Sequence, residues 1–313
     1  MPTLQGRHAD RCPRKPGKSA AVIRMSPNPP IRSISFIGLG LIGVSLLRAF
    51  RNAPIIADKQ IVLQGFDPSL GKSDLPCLKN LGLDRFVTDK AELYQADLLI
   101  LSAPVEINIM LLDEIKRFTT PETLITDVSS TKALIAKKAQ ELSLPFIGMH
   151  PMAGKEQQGY RESHEELLKG RPMIMCDDKG LLDTEKGIFL TQLLKSAGCI
   201  TIAMTPEEHD QIIAKISHLP QLLSTLLMTH CAGAIDKSGP GFATLARLAG
   251  SPWKIWRDIV ATNSSNIAEE LEQFSKEIAE LAHEVKALNM KKIEQRFTDA
   301  NQLYKTLKEI NRE

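Results

Sequence analysis

The chain lacks the marks of a membrane, secreted or nucleic-acid-binding protein. No apolar run among its 313 residues approaches the roughly 18–20 that a membrane-spanning helix needs. The N-terminus has no continuous apolar core of the kind a secretory signal carries. Five cysteines (Cys12, Cys77, Cys176, Cys199 and Cys231) make an odd number with no CxxC pair. That excludes a disulfide framework and predicts reduced thiols in a cytoplasmic protein. Net charge is nearly absent, with 39 basic against 37 acidic side chains. Most of the imbalance sits in residues 1–30, where Arg7, Arg11, Arg14, Lys15, Lys18 and Arg24 face only Asp10. The remainder is mildly acidic, so no nucleic-acid partner is expected. There is no internal repeat, and 43% hydrophobic with 24% charged residues excludes disorder, collagen or a coiled-coil rod as the whole answer.

The basic arm, residues 1–30, carries six prolines and little apolar pattern. It reads as disordered, or as sequence ahead of a true start at Met25. Its acid-poor character also resembles a transit peptide, although the prolines argue against the amphipathic helix such peptides use.

What is present suggests two domains. Short β-rich runs (Ile34–Ile37, Ile61–Phe66, Leu98–Leu101, Leu124–Asp127, Phe146–Gly148, Met173–Cys176 and Ile200–Ala203) alternate with helical stretches. The first several are almost wholly apolar, as strands covered on both faces are. The alternation implies an α/β fold with a doubly wound parallel sheet over residues 31–205. After Met204 no convincing strand appears. Thr205-Pro206-Glu207-Glu208 is a helix start, with Thr as cap, Pro first and Glu third. Residues 206–313 therefore read as all-helical. Within them Ile267, Leu271, Phe274, Ile278, Leu281, Val285 and Leu288 step alternately by four and three. Such a seam packs on another helix of the same chain or, as a small helical domain suggests, on a second copy in a homodimer.

Gly38-Leu39-Gly40-Leu41-Ile42-Gly43 follows the first strand and opens a helix. In that context it reads as a Rossmann dinucleotide turn. Gly38 makes the tight turn, Gly40 admits the pyrophosphate, and Gly43 lets the helix lie on the sheet. The amides of Leu41 and Ile42, at the helix start, face the phosphates. Asp67, ending the second strand, would accept the ribose hydroxyls and repel a 2′-phosphate, which predicts NAD rather than NADP. Ser102-Ala103-Pro104 closes another strand at the same edge, placing Ser102 and Pro104 beside the cofactor.

Two further strand ends are polar: Asp127-Val128-Ser129-Ser130-Thr131-Lys132 and His150-Pro151-Met152-Ala153-Gly154. Ser129 or Ser130 could simply cap the next helix. His150, after an apolar strand and before a proline expected to end pairing, is placed at the mouth of the crevice. It is either a buried structural histidine or a catalytic one. In Ser217-His218-Leu219-Pro220-Gln221, Ser217 and Gln221 share a helical face, and Pro220 kinks the helix. Arg247 is the one charged residue between Lys237 and Lys254, which suits an anion or an internal carboxylate. No metal-ligand spacing is evident.

These blocks, with Glu156, Gly159, His209-Asp210, Gly241-Phe242 and Trp256-Arg257-Asp258, occur in the order seen in the prephenate/arogenate dehydrogenase family, which the chain resembles over about residues 33–290. The resemblance implies a Rossmann domain followed by an all-helical dimerisation domain. The implied reaction is NAD-dependent oxidative decarboxylation of prephenate, or of arogenate, in tyrosine biosynthesis. His150 resembles the group that takes the ring hydroxyl's proton, and Ser130 the residue that orients it. Arg247 resembles the carboxylate anchor and Glu156 a residue at the entrance. Ser217 and His218 resemble pocket walls. Prephenate-using members often carry a second histidine where this chain has Gln221, so the choice between the two substrates stays open.

Two rival readings remain. One is a Rossmann–helical enzyme acting on 3-hydroxy acids, whose catalytic lysine would have to be Lys215, which has no matching motif. The other is an NAD-binding redox regulator without turnover, which leaves His150 and Arg247 without a role.

Overall fold

The computed structural model describes residues 29–155 and 157–310. The expectations for the arm up to residue 28 and for Glu156 therefore lie outside the described residues.

The apolar runs become strands because only a central position in a sheet can bury both their faces. In chain order the first half is β1 (Ser33–Ile37), α1 (Leu41–Asn52), α2 (Pro54–Asp58), β2 (Val62–Phe66), α3 (Leu75–Asn80), β3 (Arg85–Phe86), α4 (Lys90–Tyr94), β4 (Leu98–Leu101), α5 (Val105–Ile115), β5 (Leu124–Asp127), α6 (Ala133–Glu141), β6 (Phe146–Pro151), β7 (Pro172–Cys176), α7 (Glu185–Ser196) and β8 (Ile200–Met204). The sheet order is β3-β2-β1-β4-β5-β6-β7-β8. One face packs Leu46, Phe50, Phe189 and Leu193 from α1 and α7. The other packs Leu93, Leu112, Ile115 and Ile135 from α4, α5 and α6. This is a doubly wound α/β fold.

The sheet departs from the sequence reading in three places. The two-residue β3 is too short to leave an apolar run. β7 runs antiparallel to β6, and β8 is parallel to β7. Among the described residues the connection from β6 to β7 holds two short 3₁₀ turns, Tyr160–Glu162 and Glu165–Leu168, and no helical crossover that would force a parallel return. Pro151 does not end the pairing, because it stays in register with Met173 on β7. His150 is thus inside a strand and projects past the end of β5, whose last pair is Asp127 with Gly148.

Beyond Met204 the described residues hold α8 (Pro206–Ile213), α9 (Leu219–His230), α10 (Pro240–Ala246), α11 (Trp253–Thr262), α12 (Ser264–Lys286) and α13 (Met290–Ile310). The start of α8 is a full capping box: the Glu208 amide donates to Thr205 Oγ1 at 3.2 Å, and the Thr205 amide donates to Glu208 Oε2 at 2.9 Å. α8 passes into α9 through one π turn, Ala214–His218. Pro220 lacks the N–H that would bond the carbonyl four residues back, so a widened turn ahead of it is the expected local response. Along α12 the seam splits. Ile267 is buried, whereas Ile278, Leu281 and Val285 are 40–53% exposed in the single chain, and Leu288, expected to end the seam, lies beyond the helix with φ of +52°.

Candidate active site

The glycine turn is fixed by sterics. Gly38 has φ of +99°, and a Cβ there would lie 2.7 Å from the backbone carbon of Ser102. A Cβ on Gly43 would stand 2.5 Å from the Gly38 carbonyl. Gly40 differs: a Cβ there meets nothing within 4 Å, so its requirement is open space above the turn. Asp67 is tied to this turn, since its Oδ2 accepts the Leu39 amide at 2.9 Å while Oδ1 accepts the Ser69 amide at 2.9 Å. The Ser102 hydroxyl is buried beside Gly43 and has no hydrogen-bond partner among the described residues. An orphaned hydroxyl, a glycine with open space and a helix N-terminus together fit a bound pyrophosphate.

A cleft of about 430 Å³ joins this turn to the polar strand ends, lined among others by Gly40, Leu41, Ile42, Ser102, Pro104 and Ser130. Asn108, fully buried on α5, braces two of those ends: its Nδ2 donates to the Ala103 carbonyl at 2.8 Å and to Ser129 Oγ at 2.9 Å. Sequence reasoning passed over Asn108 because a lone Asn in an apolar helix carries no motif. Its burial is the signal, and only the fold shows it.

His150 is organised by residues from α8. Its Nδ1 lies 2.9 Å from His209 Nε2, and His209 Nδ1 lies 2.7 Å from Asp210 Oδ1. Asp210 accepts the backbone amides of Lys132 at 2.7 Å and Ala133 at 2.9 Å, where α6 begins. The expected orienting residue, Ser130, lines the cleft but makes no side-chain hydrogen bond to His150 among the described residues. The ring that meets His150 is that of His209. Burial, reinforced by His209, Lys132 and His218, holds His150 well below the usual histidine range. The ring is therefore neutral, and able to accept a proton, at physiological pH.

His218 is buried too, with its ring edge-on to Trp256. Asn263 Nδ2 donates to its Nδ1 at 3.3 Å, which leaves the proton on Nε2. That buried N–H finds no acceptor among the described residues. Desolvation brings the His218 pKa down to about 4, so it offers a hydrogen bond without a charge. Ser217 lies half-buried in the π turn.

Gln221 sits differently from its expected role as a substrate contact. Its Nε2 donates to the Leu248 carbonyl at 2.7 Å, and its Oε1 accepts from Ser251 Oγ at 3.2 Å. Three residues on, Ser224 Oγ donates to the Leu245 carbonyl at 2.9 Å and accepts the Ala249 amide at 3.1 Å. One face of α9 thereby staples the turn that carries Arg247. Arg247 does not line the cleft with Ser130. It lines a separate, mostly apolar groove of about 910 Å³ with Leu219, Pro220, Phe274 and Ile278.

Comparison with known proteins agrees with this anatomy. Residues 59–220 match the nucleotide-binding domain of prephenate dehydrogenase, and residues 205–309 match its dimerization domain. A prephenate dehydrogenase of Lactococcus lactis is 28% identical, aligned over 87% of this chain and 77% of its own. One of Bacillus subtilis is 31% identical over 79% of this chain and 68% of its own. The crystal structure of prephenate dehydrogenase from A. aeolicus in complex with hydroxyphenyl propionate and NAD+ superposes with a TM-score of 0.77 at 23% identity, covering 87% of this chain and 96% of that one. A Rossmann sheet, a cleft shared by the glycine turn and the polar strand ends, and a family match across both halves lead to one conclusion: this chain belongs to the prephenate dehydrogenase family.

Proposed function

We propose that the protein is an NAD-dependent dehydrogenase that converts prephenate to 4-hydroxyphenylpyruvate with loss of CO2. The observation that carries this reading is the single cleft in which the dinucleotide turn and Ser130 face each other beside the end of β6. Bound NAD supplies the acceptor for the hydride leaving the hydroxyl-bearing ring carbon. Neutral His150 takes the hydroxyl proton, and Ser130 bounds the space in which that hydroxyl sits. Positioning and one base suffice, because aromatisation on loss of CO2 drives the reaction. The unpartnered N–H of His218 is a donor for a substrate oxygen. Arg247 anchors a carboxylate, and Ser217 completes the surroundings. The Asp67 carboxylate disfavours a 2′-phosphate, which supports NAD over NADP.

The exposed half of the α12 seam supports a homodimer. Phe274 and Ile278 line the same groove as Arg247, so a second copy on that face would exclude water from the guanidinium and strengthen its hold on an anion. The four described cysteines are unpaired, which supports a reducing, cytoplasmic setting.

Arogenate is the second reading. A neutral His218, with Gln221 rather than histidine on the next turn, leaves this wall uncharged, and such a wall does not repel an ammonium group. Initial rates with prephenate and with arogenate, each with NAD and NADP, decide the matter. NADH formation on prephenate is expected, and no turnover of either substrate would end the proposal.

A further inference from the structure

Resting on the reading of His150 as the base, we propose that His209 and Asp210 are positioning residues that fix the His150 tautomer, forming a relay anchored at the start of α6. The hydrogen-bond directions follow from the donors. Both Asp210 oxygens accept backbone amides, from Lys132 and Ala133, so the carboxylate acts as an acceptor toward His209 as well. His209 must then carry its proton on Nδ1 and present a lone pair on Nε2. His150 must in turn carry its proton on Nδ1, the atom 2.9 Å from that lone pair. Its Nε2 is left as the proton acceptor. Two rings in series thus keep the reacting nitrogen bare.

A structural role does not account for His209. Its side chain is fully buried, and both ring nitrogens are used in this chain of contacts. Asp210 already joins α8 to α6 through the two amides without it. The first turn of α8 therefore buries a polar ring whose hydrogen bonds, among the described residues, run only between Asp210 and His150, and burial of such a group needs that compensation.

The test combines kinetics with ¹⁵N-histidine NMR of the full-length protein. Wild type is expected to show the Nδ1–H tautomer at both His150 and His209. His209→Leu should lower kcat on the order of tenfold to a hundredfold while KM for substrate and for NAD stays near wild type. His209→Gln, whose amide oxygen can accept from His150 Nδ1, should recover part of that loss. An Nε2–H tautomer at His150 in wild type would overturn the relay, and so would unchanged kcat in soluble His209→Leu. His150→Asn separates the two claims. If it is inactive while His209→Leu turns over normally, only the relay fails. If His150→Asn itself keeps wild-type kcat, the base assignment fails and the relay with it.

Discussion

Lys132 Nζ stands 2.5 Å from Asp127 Oδ2, and neither side chain has any exposed surface. The stem of Lys132 runs against β6 at Gly148, where a Cβ would lie 2.7 Å from Lys132 Cδ. Two positions before His150, a glycine thus makes room for the ammonium that helps keep that imidazole neutral. Lys132→Met keeps the stem but leaves Asp127 as a buried, unpaired acid. The loss of stability should be about 3–5 kcal/mol, read from urea denaturation. An unchanged midpoint would show that water reaches the pair.

The glycine turn separates folding from cofactor binding. Gly43→Ala should unfold or strongly destabilise the first half, because its Cβ meets the Gly38 carbonyl at 2.5 Å. Gly40→Ala has no such neighbour and should keep the wild-type melting temperature. It should nevertheless weaken NAD binding on the order of tenfold or more, measured by titration calorimetry. NAD affinity equal to wild type in Gly40→Ala would place the pyrophosphate elsewhere.

For Arg247→Gln we expect a raised KM for substrate, with kcat and the KM for NAD near wild type. Loss of a charged carboxylate contact corresponds to about 2–3 kcal/mol, or roughly 30- to 150-fold. Wild-type KM in steady-state kinetics would remove Arg247 as the anchor.

Acid should destabilise the folded protein well above the carboxylate range. His150, His209 and His218 are all held below the ordinary histidine value of 6.5, primarily by burial, with His218 brought to about 4. Between those values the unfolded chain binds protons that the folded chain refuses. Stability therefore rises with pH through this window and is lost as the pH falls. His218 alone represents about 3 kcal/mol by pH 4. Urea midpoints at pH 7, 5.5 and 4.5 should fall in that order, and a flat series would contradict the burial of these rings.

The exposed seam on α12 predicts its own disruption. Leu281→Glu places a charge on a residue 40% exposed in the single chain, so the monomer should tolerate it while a helix-on-helix interface should not. Sedimentation should shift from dimer to monomer. A dimer persisting in Leu281→Glu would move the interface to another face.

The sequence alone was enough for whatever depends on local sterics and periodicity. The glycine turn, the capping box at Thr205, the apolar strands and the seam of α12 each arise from contacts within a few residues or along one face. Those constraints are written in the order of the residues themselves. The direction of β7 was not legible, because it depends on how β6 and β7 are joined across a long connection. The partner of His150 was hidden for the same reason: His209 is 59 positions away, and adjacency in the chain says nothing about which ring meets which. Gln221 and Arg247 illustrate the point from the other side. Their residue types suggested chemistry, but only the packing of α9 against the turn at Leu248 gave one its bracing contacts and the other a groove of its own.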